Sequence, residues 1–281
     1  MLAILGGIGA AFCFGASTLC SSRSTRLIGS PSVVAWMMLV GLLAILPPLL
    51  AGGVPAELDA ETGVWLALSG LCNVAGLLVI YVALQVEKVG IVAPISSTEG
   101  AIAALIAVAA GEAIARRTGL ALAVIVVGIV LSGIVRSEHV EHGHGRRGAL
   151  LALLAAACFG LGLYATGRVG TDLPLVWAVL PPRLAGVVLV TVPLAATSRL
   201  QLTRRALPLV LASGLAEVIG FGSFAFGARH GIAVSAVLAS QFAAVAAVGG
   251  YVLFGERLTR VQLIGVTLIL GGVATLTALT A

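Results

Sequence analysis

The stretch SGLCNVAG, residues 69–76, returns as SGLAEVIG at residues 213–220. Its surroundings repeat with it. AAFCFG at 10–15 recurs as AAACFG at 155–160, the Gly-Glu pair at 111–112 recurs at 255–256, and Gly128 recurs as Gly272. Four ordered matches at offsets of 144 or 145 mark an internal duplication, even in a chain this rich in Ala, Leu and Gly. The register slips by three residues between them, where the turn glycines Gly90 and Gly231 stand 141 apart.

Composition says what is duplicated. Of 281 residues, 60% are hydrophobic and 10% charged, with a mean hydropathy of +1.16. Soluble domains run at about 45–50% apolar and about 25% charged. A soluble globular enzyme, a nucleic-acid-binding domain and a disordered regulator are therefore excluded. The formal charge of +5 comes from 16 Lys and Arg scattered singly or in pairs. They form no basic stripe, so no nucleic-acid partner is expected; in a membrane protein such charges sit in loops and set orientation.

A transmembrane helix needs about 20 mainly apolar residues at about 1.5 Å rise per residue. Ten segments qualify: 2–20, 32–51, 63–85, 89–110, 119–135, 148–167, 173–196, 206–228, 231–254 and 260–279. A β-barrel would instead alternate apolar and polar residues over about ten positions per strand. The first segment has no basic flank before it, and Arg23 and Arg26 follow it, so it reads as a helix rather than a signal peptide. The expected fold is all-α and integral to the membrane, with ten transmembrane helices as two inverted five-helix repeats. Residues 1–135 form the first repeat, 136–147 a linker and 148–281 the second. Five is odd, so the second repeat enters the bilayer upside down. Inverted repeats mark secondary transporters, which hold their site near the midplane and rock one half against the other. The expected partners are a small-molecule substrate and the lipid bilayer, with protons as a candidate coupling ion.

Ionisable residues within a span cost about 2.5–3.5 kcal/mol each at the helix centre and call for a reason. Glu99, Glu217 and Arg183 lie deep in the fourth, eighth and seventh segments. They are expected to face the bundle interior, either as a structural Arg–Glu pair or as a wet site in which one Glu meets a substrate amine or carries a proton. The repeat aligns Glu217 with Asn73 and so sets polar groups at one depth in both halves. Ser17, Tyr164, Thr166, Ser240 and Gln241 are further polar candidates for the cavity wall. Tyr81, Trp36, Trp65 and Trp177 sit nearer span ends, where aromatic belts are usual. PISSTEG at 94–100 points to a broken or kinked fourth helix beside Glu99, because Pro94 removes a helix hydrogen bond. Pro181 and Pro182 offer the same beside Arg183, while Pro47 and Pro48 read as a helix stop.

Several features read blandly. Cys13, Cys20, Cys72 and Cys158 fall inside spans at no zinc or disulfide spacing, and read as packing residues with free thiols. His139, His142 and His144 beside Glu138 and Glu141 read as a solvated linker, not a metal site. No P-loop or Rossmann pattern is present, and no cofactor is expected.

The segment GIAVSAVLASQFAAVAAVGGYVLFGERLTRVQLIGVTLILGGV, 231–273, resembles the EamA-type branch of the drug/metabolite transporter superfamily. Its GERLTRVQLIGVTLILGGV ending reads like the family's closing motif, and the CFG pieces at 13–15 and 158–160 resemble the aromatic-Gly of helices 1 and 6. Arg183 falls where the second helix of the repeat commonly carries Arg; the first half has Met38 near that position. The resemblance implies a ten-helix carrier importing or exporting small metabolites such as amino acids without ATP, in a bacterial inner membrane. It makes Gly111, Glu112, Gly255 and Glu256 motif residues, with the glutamates as helix-turn anchors beside Arg116 or Arg260. It also implies cytoplasmic termini. The loops disagree: in that orientation the inner loops carry 4 Arg and the outer ones 11 Lys or Arg, against the positive-inside rule. Both readings keep the termini on one side. Competing functions are an enzyme acting on lipid-linked substrates, for which no catalytic cluster is present, and a non-transporting subunit, sensor or scaffold. Cavity charges of both signs favour a zwitterion.

Overall fold

The computed structural model describes residues 1–86, 92, 95–133, 145–254 and 259–280. Among them the secondary structure is helical. The helices are α1 (Leu2–Ile28), α2 (Ser30–Gly52), α3 (Ala60–Val86), α4 (Glu99–Ala109), α5 (Arg116–Gly133) and α6 (Gly145–Asp172). They continue as α7 (Leu175–Ala196), α8 (Leu207–Ala228), α9 (Ile232–Ala239), α10 (Phe242–Phe254) and α11 (Arg260–Thr280). Helix is the state the bilayer demands, because it satisfies each backbone group within its own segment. Eight segments are long and apolar enough to cross a membrane; α9 and α10 together make one of them. The shorter apolar α4 and the 18-residue α5 complete the ten.

Local chemistry sets the ends. Gly29, at φ 77°, turns α1 into α2, whose first turn holds Pro31. Asp59 sits just before α3 and accepts from the Thr62 N–H at 2.8 Å and the Thr62 hydroxyl at 2.7 Å. Those two bonds hold its carboxyl below the ordinary range. Pro47 and Pro48 do not stop α2, which runs on to Gly52. They lie in its last turns and leave the carbonyls of Leu43 and Ala44 without their usual in-helix donors. Pro181 and Pro182 lie within α7, and the wider π turn at Val187–Thr191 follows them.

The repeat is visible in the packing. α1 packs on α8 as α6 packs on α3; α2 packs on α8 as α7 packs on α3; α1 packs on α9 as α6 packs on α4. α5 pairs with α11, the last helices of the two repeats. The motifs that reveal the duplication are the residues that interlock. A methyl group on Gly220 would come within 2.5 Å of the Phe14 ring, and one on Gly76 within 2.7 Å of the Phe159 ring. A methyl on Gly272 would meet Ile125 at 2.5 Å, and one on Gly128 would meet Ile269 at 2.9 Å. Each CFG phenylalanine thus docks on the glycine that ends the other repeat's SGL motif.

Burial differs from that of a soluble protein. Many fully buried positions are alanines, among them Ala10, Ala103, Ala155, Ala225 and Ala233, while Leu5, Leu50, Leu105, Val252 and Leu270 face outward. Lipid tails solvate Leu as well as a core does, so small residues go where helices must approach. Gly76→Ala should therefore destabilise the protein by about 1–3 kcal/mol through overpacking. Gly271→Ala, with nothing within 4 Å, should leave stability unchanged or raised. Melting midpoints of the two purified variants in one detergent check the contrast.

Candidate functional site

A cavity of about 300 Å³ lies inside the bundle, walled by α1, α2, α3, α6, α8, α10 and the approach to α4. Glu99, Glu217 and Asn73 line it, with Ser69, Ser96, Thr18 and Thr166 as hydroxyl groups. Phe14, Phe159, Phe221 and Phe242 supply aromatic wall, and Met37 and Met38 flexible wall. Glu217 lies midway along α8 and Asn73 midway along α3. Each is on the same turn as its repeat's SGL motif, which is why the duplication sets them at one depth.

Arg183 stands behind this wall. It is 1% exposed, with its Nη2 donating to Glu217 Oε2 at 3.3 Å and its Nη1 3.5 Å from Met38 Sδ. Its guanidinium lies 4.7 Å over the Phe221 ring, while its Nε has no hydrogen-bond partner. The other oxygen of Glu217 accepts from the Ser17 hydroxyl at 3.2 Å, and Ser17 and Ser213 hydroxyls are 3.3 Å apart. The repeat explains how an arginine fits. Arg183 and Met38 occupy equivalent positions, and each packs its side chain over the other half's glycine, Arg183 over Gly41 and Met38 over Gly186. The second half carries Arg183 and Glu217 where the first carries Met38 and Asn73.

Glu99 is held differently. It opens α4 directly after a turn at Ser97–Thr98, where the Thr98 N–H donates to Ile95 O at 3.1 Å. Among the described residues it forms no ion pair. The ninth span breaks at the equivalent place: α9 ends, Ser240 and Gln241 form a turn, and α10 starts at Phe242. Ser240 (φ −70°, ψ −1°) and Thr98 (φ −79°, ψ 0°) have nearly the same backbone. The two breaks lie against each other, since a methyl on Gly100 would strike Ala236 O and the Ser240 hydroxyl. Pro94, which points to the first break, lies outside the described residues. The second break contains no proline, and its only sequence signal is register with Ser97–Thr98.

The remaining candidates lie off the cavity. Tyr164 is buried edge-on against Trp65, with ring centroids 5.6 Å apart. Ser240 donates to Val237 O at 2.9 Å, and Gln241, 7% exposed, has an unpartnered Nε2. Glu112 is an anchor, but not through Arg116: its carboxylate accepts from the Ile232 N–H at 3.1 Å and the Ala233 N–H at 3.2 Å. It thereby caps α9 of the opposite repeat across the Gly111 turn (φ 103°). Gly255 and Glu256, Tyr81's side chain and the linker histidines lie outside the described residues. Phe14, Phe159, Phe221 and Phe242 escape sequence reasoning as cavity residues, because an apolar ring in an apolar span carries no signal.

Ten helical segments in two inverted repeats, packed around a cavity with acidic groups in its wall, have the architecture of a membrane transporter. The chain belongs to the EamA-like transporter family, which it matches over residues 1–134 and again over 146–278. A solved crystal structure superposes with a TM-score of 0.81 at 19% identity, covering 99% of this chain and 96% of the other, and shares the fold. The comparison with curated proteins returns no match.

The Arg183–Glu217 pair yields a sharp expectation. Arg183→Met leaves Glu217 unpaired and should destabilise by about 3–5 kcal/mol. Adding Glu217→Asn recreates the first half's Met–Asn arrangement and should restore most of that loss. Thermal midpoints of the wild type, the two single variants and the double variant form the cycle that checks it.

Proposed function

We propose that this chain is a gradient-driven carrier of a small polar metabolite in a bacterial inner membrane. The observation that carries the reading is the convergence of Glu99, Glu217 and Asn73 on one mid-depth cavity beside the paired helix breaks. Acidic groups are kept at this depth at a cost that packing alone does not require. Substrate occupies the cavity, and residues 1–135 rock against 148–281 about the linker 136–147 to open it to either side in turn. Protons are the coupling ion. Glu99 is the group that exchanges proton and substrate, because Glu217 is committed to Arg183 and Ser17.

One observation favours a second reading. Arg183 is so deeply buried that its pair with Glu217 suffices to lock α7 to α8, as it would in a non-transporting scaffold or sensor. Flux separates the two. Reconstituted into proteoliposomes with a labelled panel of amino acids and metabolites, the wild type should show flux that responds to an imposed pH gradient. Glu99→Gln should lose that response by about tenfold or more while remaining folded. Flux that ignores both gradient and substitution would leave a facilitator without proton coupling. No flux from any panel member would favour the scaffold.

A further inference from the structure

The chemistry of the cavity wall narrows the substrate. The hydroxyl protons of Thr18, Thr166 and Ser69 are already spent. Thr18 donates to Phe14 O at 2.8 Å, and Thr166 donates to Gly162 O at 2.8 Å. Ser69 lies 2.6 Å from the Thr166 oxygen, and with the Thr166 proton taken, Ser69 is the donor of that bond. What these groups present to the cavity is lone pairs. Asn73 Oδ1 is an acceptor with no partner, beside the N–H donors of the same amide, and the two carboxylates accept only when ionised.

The charges lean the same way. Two carboxylates line the space, and one guanidinium stands behind it, engaged with Glu217 and closed off from the cavity. With both acids ionised, one negative charge is left without a partner, and it belongs to Glu99. A charge in a low-dielectric site calls for an opposite one. The substrate's carboxylate, had it one, would find no cation on the wall among the described residues: Arg183 does not line the cavity, so a zwitterion has a seat there for its amine only.

The apolar part of the wall completes the description. Phe242 holds the position in the second repeat that Glu99 holds in the first, so acid and ring stand at equivalent points of the two halves. Phe14 and Phe221 meet edge to face with centroids 5.2 Å apart, presenting a second aromatic surface. Aromatic faces attract ammonium groups and pack against flat apolar bodies.

Building on the carrier reading above, we infer that the substrate is a monocationic amine, with N–H donors for Glu99 and Asn73 and a compact apolar or aromatic body for the phenylalanines. The cavity is at the small end of the range for ligand sites, which suits a single ring with a short aminoalkyl arm.

Three near-isosteric probes test this without knowledge of the native substrate: phenethylamine (cation), L-phenylalanine (zwitterion) and 3-phenylpropionate (anion). Radiolabelled phenethylamine is titrated onto the purified full chain in lipid nanodiscs, and the other two compete. The expected result is saturable phenethylamine binding, with each competitor weaker by about tenfold or more. Glu99→Gln should weaken the amine by about tenfold or more, weaken L-phenylalanine through its ammonium, and leave 3-phenylpropionate unchanged or tighter. Equal or tighter binding of 3-phenylpropionate or L-phenylalanine overturns the inference, as does the absence of saturable amine binding to folded protein. The ligand series on the wild type decides the matter even where the Glu99 variant fails to fold. The same three probes in vesicle flux keep the two readings apart. Amine bound but never moved would refute the carrier and leave this inference standing. Phenylalanine or phenylpropionate moved without amine binding would do the reverse.

Discussion

Lipid gives helices no hydrophobic reason to associate, and the fold depends on that constraint. Close approach must come from dispersion contacts between small residues and from the few polar bonds that bridge helices. The seams of α1 with α8 and α9 show the consequence: a methyl on Gly6 would come within 2.5 Å of Gly227 Cα in α8, and Ser235 of α9 bonds across to Ala3 O at 3.0 Å. Seams this close leave no route for water except where side chains are deliberately held apart. The cavity is such a place, propped by Phe14 and Phe159, each docked on a glycine of the opposite repeat. The residues that close the bundle also shape its interior.

Inversion makes each seam between non-equivalent helices occur twice, and it would make every cavity group occur twice as well. Charge departs from that rule at three positions, two in the wall and one behind it: Glu217 against Asn73, Glu99 against Phe242, and Arg183 against Met38. In each the charged group belongs to one half only, and the partner position keeps a side chain of comparable length or bulk. Packing therefore stays symmetric while electrostatics does not. Arginine can replace methionine here because its stem lies over Gly41 as the Met38 stem lies over Gly186, and its head finds Glu217 and the Phe221 ring.

Much of this is legible in the residues themselves. The spans follow from hydropathy, and the repeat follows from four motifs whose contacts prove to be the interlocking ones. Glu99, Glu217 and Asn73 stand out as polar groups at depth, and all three line the cavity. Other features have no local signature. That Arg183 turns away from the cavity depends on its rotamer and on Ser17 and Arg183 sharing Glu217, which spacing does not encode. Glu112 finds its partners 120 residues away on backbone N–H groups, a bond to which any sequence contributes equally. The break at Ser240–Gln241 carries no proline or glycine. It becomes readable only once the register with Ser97–Thr98 is known, and the three-residue slip of the repeat obscures that register.

The two breaks also explain why the acids take different roles. A helix N-terminus carries partial positive charge and favours an anion in its first turn. Glu99 occupies that position in α4, so its charge is supported by a backbone dipole rather than by a fixed cation. Glu217, mid-helix in α8, has no such support and takes Arg183 instead. A dipole stabilises a carboxylate while leaving its oxygens open to an incoming donor; a guanidinium and a serine hydroxyl occupy them. Glu217 therefore fixes the geometry and potential of the wall, and Glu99 is left able to exchange partners.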